Sequence, residues 1–550
     1  MLDTFKENKR TLLLFIFILL LSFSLRFTRV MFQKQPVFGD EAIYVRWSQI
    51  MRSEPSLRFV PLSDGKQPLF MWVTIPFLKI FDDPLIAARI LSVYTGTVTT
   101  AGLFFLTLLL FKSVSISLLV GFLYAISPFS TFFESMALAD SMLSMFGVWS
   151  LVFAVIVVRK KRLDAAMFSG FCLGGAYLTK SPAQFFALFL PIVLILHRWP
   201  KKYALILRDL SVFLFHFFFT YAIAYGLYNI LRLGENFHMI ALRNQDYVNS
   251  IEHILNSPFD PLLPFLRMIL EYFWFLGPSI LILLIFLGIY LGTIKYKKVT
   301  LVLIFWGLAP IFLVSEFSKT MTARYVFFAL PYLFVLSVVP LYKFFKPGES
   351  GINKSANGKK SLYRSINYFL NLNFGKKLLI VAFIIYLVHA FYVNLMLIFN
   401  PQNAKLPRGE RSGYFEEWTS GYGIAQAADY IINYHETNPE ENIVIGTEGY
   451  FGTLPDGLMI YLNEYPEIKV IGVGIDLKEI PQSLLNSVES GNQTYLLINN
   501  SRLKTDYNKL NLNLVALYQK AFRKEGTLEY NLNGPQEVLY LFEVEPSGEL

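Results

Sequence analysis

The sequence predicts a multi-span α-helical membrane protein with a soluble α/β domain at its C-terminal end. Three observations predict it. Apolar residues make up 54% of the 550-residue chain and charged residues only 16%, against about 25% charged in ordinary soluble domains. Mean hydropathy is +0.46. The charge is also split, because residues 1–399 hold 38 Lys and Arg against 19 Asp and Glu, whereas 400–550 hold 11 against 21. These figures exclude a disordered chain, a collagen-like fibre and a disulfide scaffold. The single cysteine, Cys172, can form no bridge within the chain. A basic balance often marks a nucleic-acid binder. Here the cations fall between apolar runs, so no nucleic-acid partner is expected.

Eleven apolar runs are read as membrane helices: about 11–31, 84–111, 115–133, 137–158, 165–180, 182–197, 210–231, 268–293, 299–315, 324–342 and 378–399. The runs at 165–180 and 182–197 are short and suit a tight hairpin. No small-residue cleavage site follows the first run, so it is read as a span. Orientation follows from the basic residues, which concentrate on the cytoplasmic side of such proteins. With the N-terminus cytoplasmic, the inner segments hold 23 basic and five acidic residues, including the run Arg159-Lys160-Lys161-Arg162 and eight cations within 343–377. An odd number of spans then puts 400–550 outside. The bundle is taken as 1–399, with a first outer loop at 32–83 and a cytoplasmic loop at 343–377. In 400–550, apolar runs at 443–446, 469–474, 495–498 and 538–544 alternate with helix-like stretches at 424–434 and 508–521. That alternation predicts an α/β domain.

The outer side collects ionisable residues. In the first outer loop, Asp40 and Glu41 precede Ile43, Tyr44 and Trp47 at helical spacing, and Lys66-Gln67-Pro68 follows. The loop reads as amphipathic helices in the membrane interface. Asp40 and Glu41 suit a helix N-terminus, or a carboxylate aimed at a reacting hydroxyl. Asp140 opens the fourth span, where an ionisable residue is by default a functional candidate. Lys66, Lys180 and Arg324 suit either head-group anchoring or phosphate binding. Glu134 reads as a loop charge, and His238 and His253 as scattered loop histidines. Glycine-rich phosphate loops, an HExxH pattern and paired-cysteine zinc spacing are all missing from the sequence. Thus two acids and three cations, from five places in the chain, are expected at one membrane face.

Gly39-Asp40-Glu41-Ala42, Lys66-Gln67-Pro68-Leu69, Leu138-Ala139-Asp140, Leu178-Thr179-Lys180 and Arg324-Tyr325 leading to Leu330-Pro331 together resemble the GT-C membrane glycosyltransferases. The nearest branch holds the protein O-mannosyltransferases and the bacterial lipid A aminoarabinose transferase (glycosyltransferase family 39 and relatives). The resemblance spans about 1–345, and 400–550 is similar to the outer soluble domains of this group. It implies Asp40 and Asp140 as catalytic acids, Lys66 as the residue meeting a lipid phosphate, and Arg324 on the same path. Glu41, Tyr44, Lys180 and Tyr325 are expected to bind substrate. The aminoarabinose transferase has a glutamate just before its lysine, in a metal site. Gly65 stands there in this chain, so no metal or other cofactor is expected.

The implied activity is an inverting transfer of a sugar from a polyprenyl-phosphate donor to a hydroxyl of a glycan, lipid or protein. The implied setting is the outer face of a prokaryotic plasma membrane, among membrane lipids. The alternative is a transporter or flippase of a lipid-linked substrate. Transporters usually keep ionisable groups near the bilayer midplane between structural repeats. The expected cluster lies instead at one edge.

Overall fold

The structure, a computed structural model, describes residues 9–32, 35–344 and 374–545. Most of the expected cytoplasmic loop, and the eight cations counted there apart from Lys343, Lys376 and Lys377, lie outside the described residues. Six described helices are long and apolar enough to cross a membrane: Lys9–Phe32, Pro84–Phe111, Ala139–Lys160, Tyr203–Leu233, Lys297–Phe317 and Lys377–Phe399. Shorter apolar helices fill the spaces between them. Leu13, Phe17, Phe218, Leu283, Ile384 and Val388 are exposed on the bundle's outside, as lipid-facing side chains must be. The chain is a multi-pass membrane protein.

Several expected spans are broken. The run 115–133 forms a helix Val114–Ala125 and then, after Ser127, a second helix Pro128–Phe133. The run 268–293 forms Leu262–Phe275 and Leu281–Lys295, divided at Gly277-Pro278, where Gly277 takes a φ of +113°. The run 324–342 is three pieces, Arg324–Phe327, Leu330–Ser337 and the 3-10 turn Val339–Phe344. A proline lacks the N–H that continues a helix, so it opens a new one instead. Hydropathy alone does not register that break.

Buried charge ties the first helix into the bundle. Arg26 is buried and donates from Nε to Glu134 at 2.7 Å and from NH1 to the Ala125 carbonyl at 3.0 Å. Tyr124 donates to the other Glu134 oxygen at 2.6 Å. Glu134 is therefore not a solvated loop charge. Removing one partner from such a pair costs about 3–5 kcal/mol, because the other is left buried and unpaired. Gly96 makes room for it, since a Cβ there would lie 2.4 Å from the Glu134 carboxylate.

The C-terminal part is a five-stranded sheet in the order β2-β1-β3-β5-β4. The strands are β1 Ile443–Thr447, β2 Lys469–Gly472, β3 Gln493–Asn499, β4 Leu512–Phe522 and β5 Gln536–Val544. β1 runs parallel to β2 and β3, and β5 runs antiparallel to β3 and β4. Tyr495 and Leu497 pack on the helix Ile424–Thr437, while Leu496 and Ile498 pack with Leu484 on the other face. The alternation along β3 follows from the two-residue period of a strand. The expected helix-like stretch 508–521 is instead the edge strand β4, whose partly exposed alternation imitates a helix face.

The helix Gly39–Ser53 lies between sheet domain and bundle. Arg46 donates to Asn463 at 2.8 Å, Gln49 to the Ile460 carbonyl at 2.8 Å, and Gly421 N–H to the Val37 carbonyl at 2.8 Å. Nine of its 15 residues are buried. It is thus gripped between two protein surfaces, and the expected interfacial helix is not a lipid-facing one. The sheet domain supplies the cover that lipid head groups were expected to give.

Candidate active site

The start of the helix Gly39–Ser53 explains why two adjacent acids point to different places. Its first turn is closed by Glu41, whose Oε2 accepts the Phe38 N–H at 3.1 Å. Glu41 also accepts from Arg89 twice at 2.8 Å and from the Ala137 N–H at 2.7 Å. It is fully buried and lines no part of the cavity. The expectation that Glu41 binds substrate is therefore corrected, because both of its oxygens are occupied within the fold. Its effect is to fasten Ala137, three residues before Asp140, to the segment that carries Asp40.

With Glu41 as the cap, Asp40 is free to face a cavity of about 1680 Å³. Its Oδ1 lies 3.3 Å from Lys66 Nζ, and its Oδ2 pairs with the Arg324 guanidinium. Lys66 also pairs with Asp64 at 2.9 Å, and Asp64 with Arg243 at 3.1 Å. Lys66 Nζ sits 5.6 Å above the Tyr44 ring and 5.7 Å from that of Trp47. Asp140 occupies the first turn of Ala139–Lys160, where the helix dipole favours a carboxylate. Its Oδ1 accepts from Lys180 at 2.7 Å, and its Oδ2 is buried without a hydrogen-bond partner. Lys180 Nζ lies 5.8 Å from the Tyr325 ring.

Asp40, Tyr44, Lys66, Asp140, Lys180, Arg324 and Tyr325 all line this one cavity. Of the residues expected to act on or bind substrate, Glu41 alone does not line it. Burial opposes ionisation of Asp40, but Arg324, Lys66 and, more weakly, Lys180 outweigh it and hold the carboxyl well below the usual range. Burial likewise opposes the charge on Lys66, and Asp40 and Asp64 overcome that and keep it an ammonium. A site lined by five lysine or arginine side chains and three aspartates can hold a phosphate and keep a carboxylate near it. Away from the charges, the wall turns apolar and aromatic, with Leu188, Pro191, Tyr221, Tyr225 and Leu313.

Two lining residues were not legible beforehand. Asp64 stands two positions before Lys66, and only its turn shows that it faces inward. Arg243 sits in the helix Met239–Tyr247, more than 170 residues from its charge partner Asp64 in a stretch without a motif. Gly65 takes a φ of +66°, and a Cβ there would lie 2.6 Å from Arg243 Cβ and 2.7 Å from the Met239 carbonyl. No side chain fits at position 65. His253 also lines the cavity, with Nε2 2.8 Å from the Asp260 carbonyl. Among the described residues, no three His, Cys, Asp or Glu side chains come together to hold a metal ion.

The structure is similar to ArnT from Cupriavidus metallidurans in the apo state, at 15% identity and a TM-score of 0.54, covering 96% of this chain and 97% of that one. The two chains share a fold along nearly their whole length. The structure of ArnT bound to undecaprenyl phosphate matches with the same identity, coverage and TM-score. The sequence profile of the dolichyl-phosphate-mannose-protein mannosyltransferase family matches residues 65–225 of this chain, from the turn before Lys66 through Asp140 and Lys180. No curated protein sequence matches it.

Proposed function

We propose that the chain is an inverting glycosyltransferase. It moves a sugar from a polyprenyl-phosphate donor to a hydroxyl of a glycan, lipid or protein. The observation that carries this reading is the convergence of Asp40, Asp140, Lys66, Lys180 and Arg324 on one cavity that also has an apolar, aromatic wall. A lipid-linked phosphate needs that combination. ArnT, of the same fold, has been captured with undecaprenyl phosphate, which supports the class of donor.

The chemistry assigns a role to each side chain. The acceptor hydroxyl attacks the anomeric carbon from the face opposite the phosphate. A carbon–oxygen bond forms to the acceptor, and the bond from the anomeric carbon to the phosphate oxygen breaks, leaving its electron pair on the phosphate. Asp40 takes the hydroxyl proton, help of a kind worth roughly 10²–10⁴ in rate. The departing polyprenyl phosphate is an anion and needs no protonation, unlike the poor leaving groups that glycosidases must protonate. Lys66, Arg324 and Lys180 stabilise it. Asp140 uses its unpaired oxygen for a sugar hydroxyl, and Tyr44 and Tyr325 flank the cations.

Asp40 bound to two cations is a weak base. A donor phosphate competes for Lys66 and Arg324, and the proton affinity of Asp40 rises as they turn away. The base is thereby switched on by the donor. The basic bias of the sequence supports a cytoplasmic N-terminus and an extracytoplasmic sheet domain at a plasma membrane. Mass spectrometry of the envelope glycans, lipids and proteins of cells with and without the chain tests the proposal. One sugar is expected to disappear from one class of molecule, and identical spectra for all three oppose the reading.

A further inference from the structure

The segment leading from the last apolar helix to the sheet places two side chains beneath the Asp40–Arg324 pair. Glu410, in the short helix Arg408–Arg411, is buried, and its Oε1 accepts the backbone N–H of Ala323 at 2.8 Å. Ala323 is itself buried and caps the four-residue helix Arg324–Phe327. Tyr414 packs on Phe38 with ring centroids 4.5 Å apart, and the Phe38 ring lies 5.7 Å from the Arg324 guanidinium carbon. The segment is fastened in turn. The Arg408 N–H donates to Glu271 at 3.0 Å, and Glu416 is held by Arg408 and, at 2.7 Å, by Arg411. Neither Glu410 nor Tyr414 lines the cavity.

We propose that Glu410 is a positioning residue, which fixes the Ala323 amide and so sets where the Arg324 guanidinium stands relative to Asp40 and an arriving phosphate. The proposal rests on the donor reading above. A four-residue helix has almost no internal hydrogen bonds with which to hold its own first residue. A buried amide without an acceptor is costly, and the backbone turns to find another. The Arg324 side chain moves with that backbone. The hydrogen bond needs an oxygen in place rather than a charge, so an amide oxygen serves as well. The phosphate side of the site is therefore built jointly by the bundle and the approach to the sheet domain.

The test uses the full chain in phosphatidylcholine vesicles titrated with undecaprenyl phosphate. The variants are Glu410→Ala, Glu410→Gln, Arg324→Gln and the double Glu410→Ala with Arg324→Gln. Glu410→Ala is expected to weaken binding roughly tenfold, and Glu410→Gln to restore it to within about threefold. The double variant should bind no worse than Arg324→Gln alone, since nothing is left to position. A folded Glu410→Ala protein that binds like wild type, or losses that multiply in the double variant, overturns the proposal. If Glu410→Ala does not fold, Glu410→Asp takes its place, its carboxylate one methylene short of the Ala323 amide. If the wild type binds no carrier lipid, the donor reading fails and thermal unfolding decides the positioning. Glu410→Ala and Asp40→Asn together should then lower Tm by less than their separate shifts combined, and additive shifts overturn the proposal.

Discussion

Asp140, which lines the cavity, accepts a hydrogen bond from Lys180 at 2.7 Å on one carboxylate oxygen and keeps the other buried without a hydrogen-bond partner. A buried acceptor left open is costly unless something fills it. A sugar hydroxyl is the partner that the proposed reaction supplies. Asp140→Asn leaves Lys180 without its counter-charge and changes what the open position can accept. Turnover is expected to fall by at least about tenfold, equivalent to the 1.4 kcal/mol or more that a charged hydrogen bond contributes. Steady-state transfer kinetics beside undecaprenyl-phosphate binding check this, with the larger effect expected on kcat.

Asp40 titrates far below neutrality in the unliganded chain, because Arg324 and Lys66 outweigh its burial. A depressed carboxyl contributes stability that is full above its ordinary value and lost as the pH falls through the folded one. The Tm gap between wild type and Asp40→Asn is therefore expected to stay constant from about pH 5 to 8 and to narrow below about pH 4. Thermal unfolding across that range checks it. A gap that closes near pH 6 would mean that the two cations do not sit on Asp40.

Glu410 behaves in the opposite sense. Burial pushes it up to about 7, against the pull of the Ala323 N–H and of Arg324, and Glu271 adds to the rise. Tyr272 and Tyr414 are the other titratable neighbours. A raised carboxyl costs nothing below its ordinary value and its full penalty above the raised one. Glu410→Gln is expected to be more stable than wild type at pH 8, by on the order of 3 kcal/mol. The advantage should vanish near pH 4.5. Unfolding at the two pH values reads the difference.

Gly65 holds the turn that presents Lys66. Gly65→Ala must adopt a φ of +66° and meets Arg243 Cβ at 2.6 Å and a backbone carbonyl at 2.7 Å. The backbone term alone costs about 1–3 kcal/mol. A lower Tm is expected together with weaker carrier-lipid binding, since Lys66 is the next residue. A variant with unchanged Tm and binding would show that the turn does not set the lysine.

The membrane class, the α/β tail and the charged cluster were legible because each leaves a one-dimensional trace. Hydropathy marks long helices, alternation marks strands such as β3, and acids or cations next to apolar runs stand out wherever they fall. What was not legible depends on partners far away in sequence. Glu41 and Asp40 are adjacent and chemically alike, and only Arg89 and the Ala137 amide decide that Glu41 turns inward. Glu134 looked solvated until Arg26 and Tyr124 closed on it. Arg243 and Glu410 meet the site through contacts with Asp64 and Ala323, and no local pattern carries either. The edge strand β4 reads as a helix in the sequence because its partly exposed residues mix polar and apolar side chains as a surface helix does.

The most direct measurement is transfer by the purified full chain in proteoliposomes, supplied with radiolabelled undecaprenyl-phosphate sugars and an extract of envelope acceptors. The wild type is expected to move label to an acceptor. Asp40→Asn is expected to bind the donor but to lose at least about a hundredfold in rate. An Asp40→Asn protein that transfers as fast as the wild type, or a wild type that carries the lipid across the vesicle without transferring its sugar, would contradict the account.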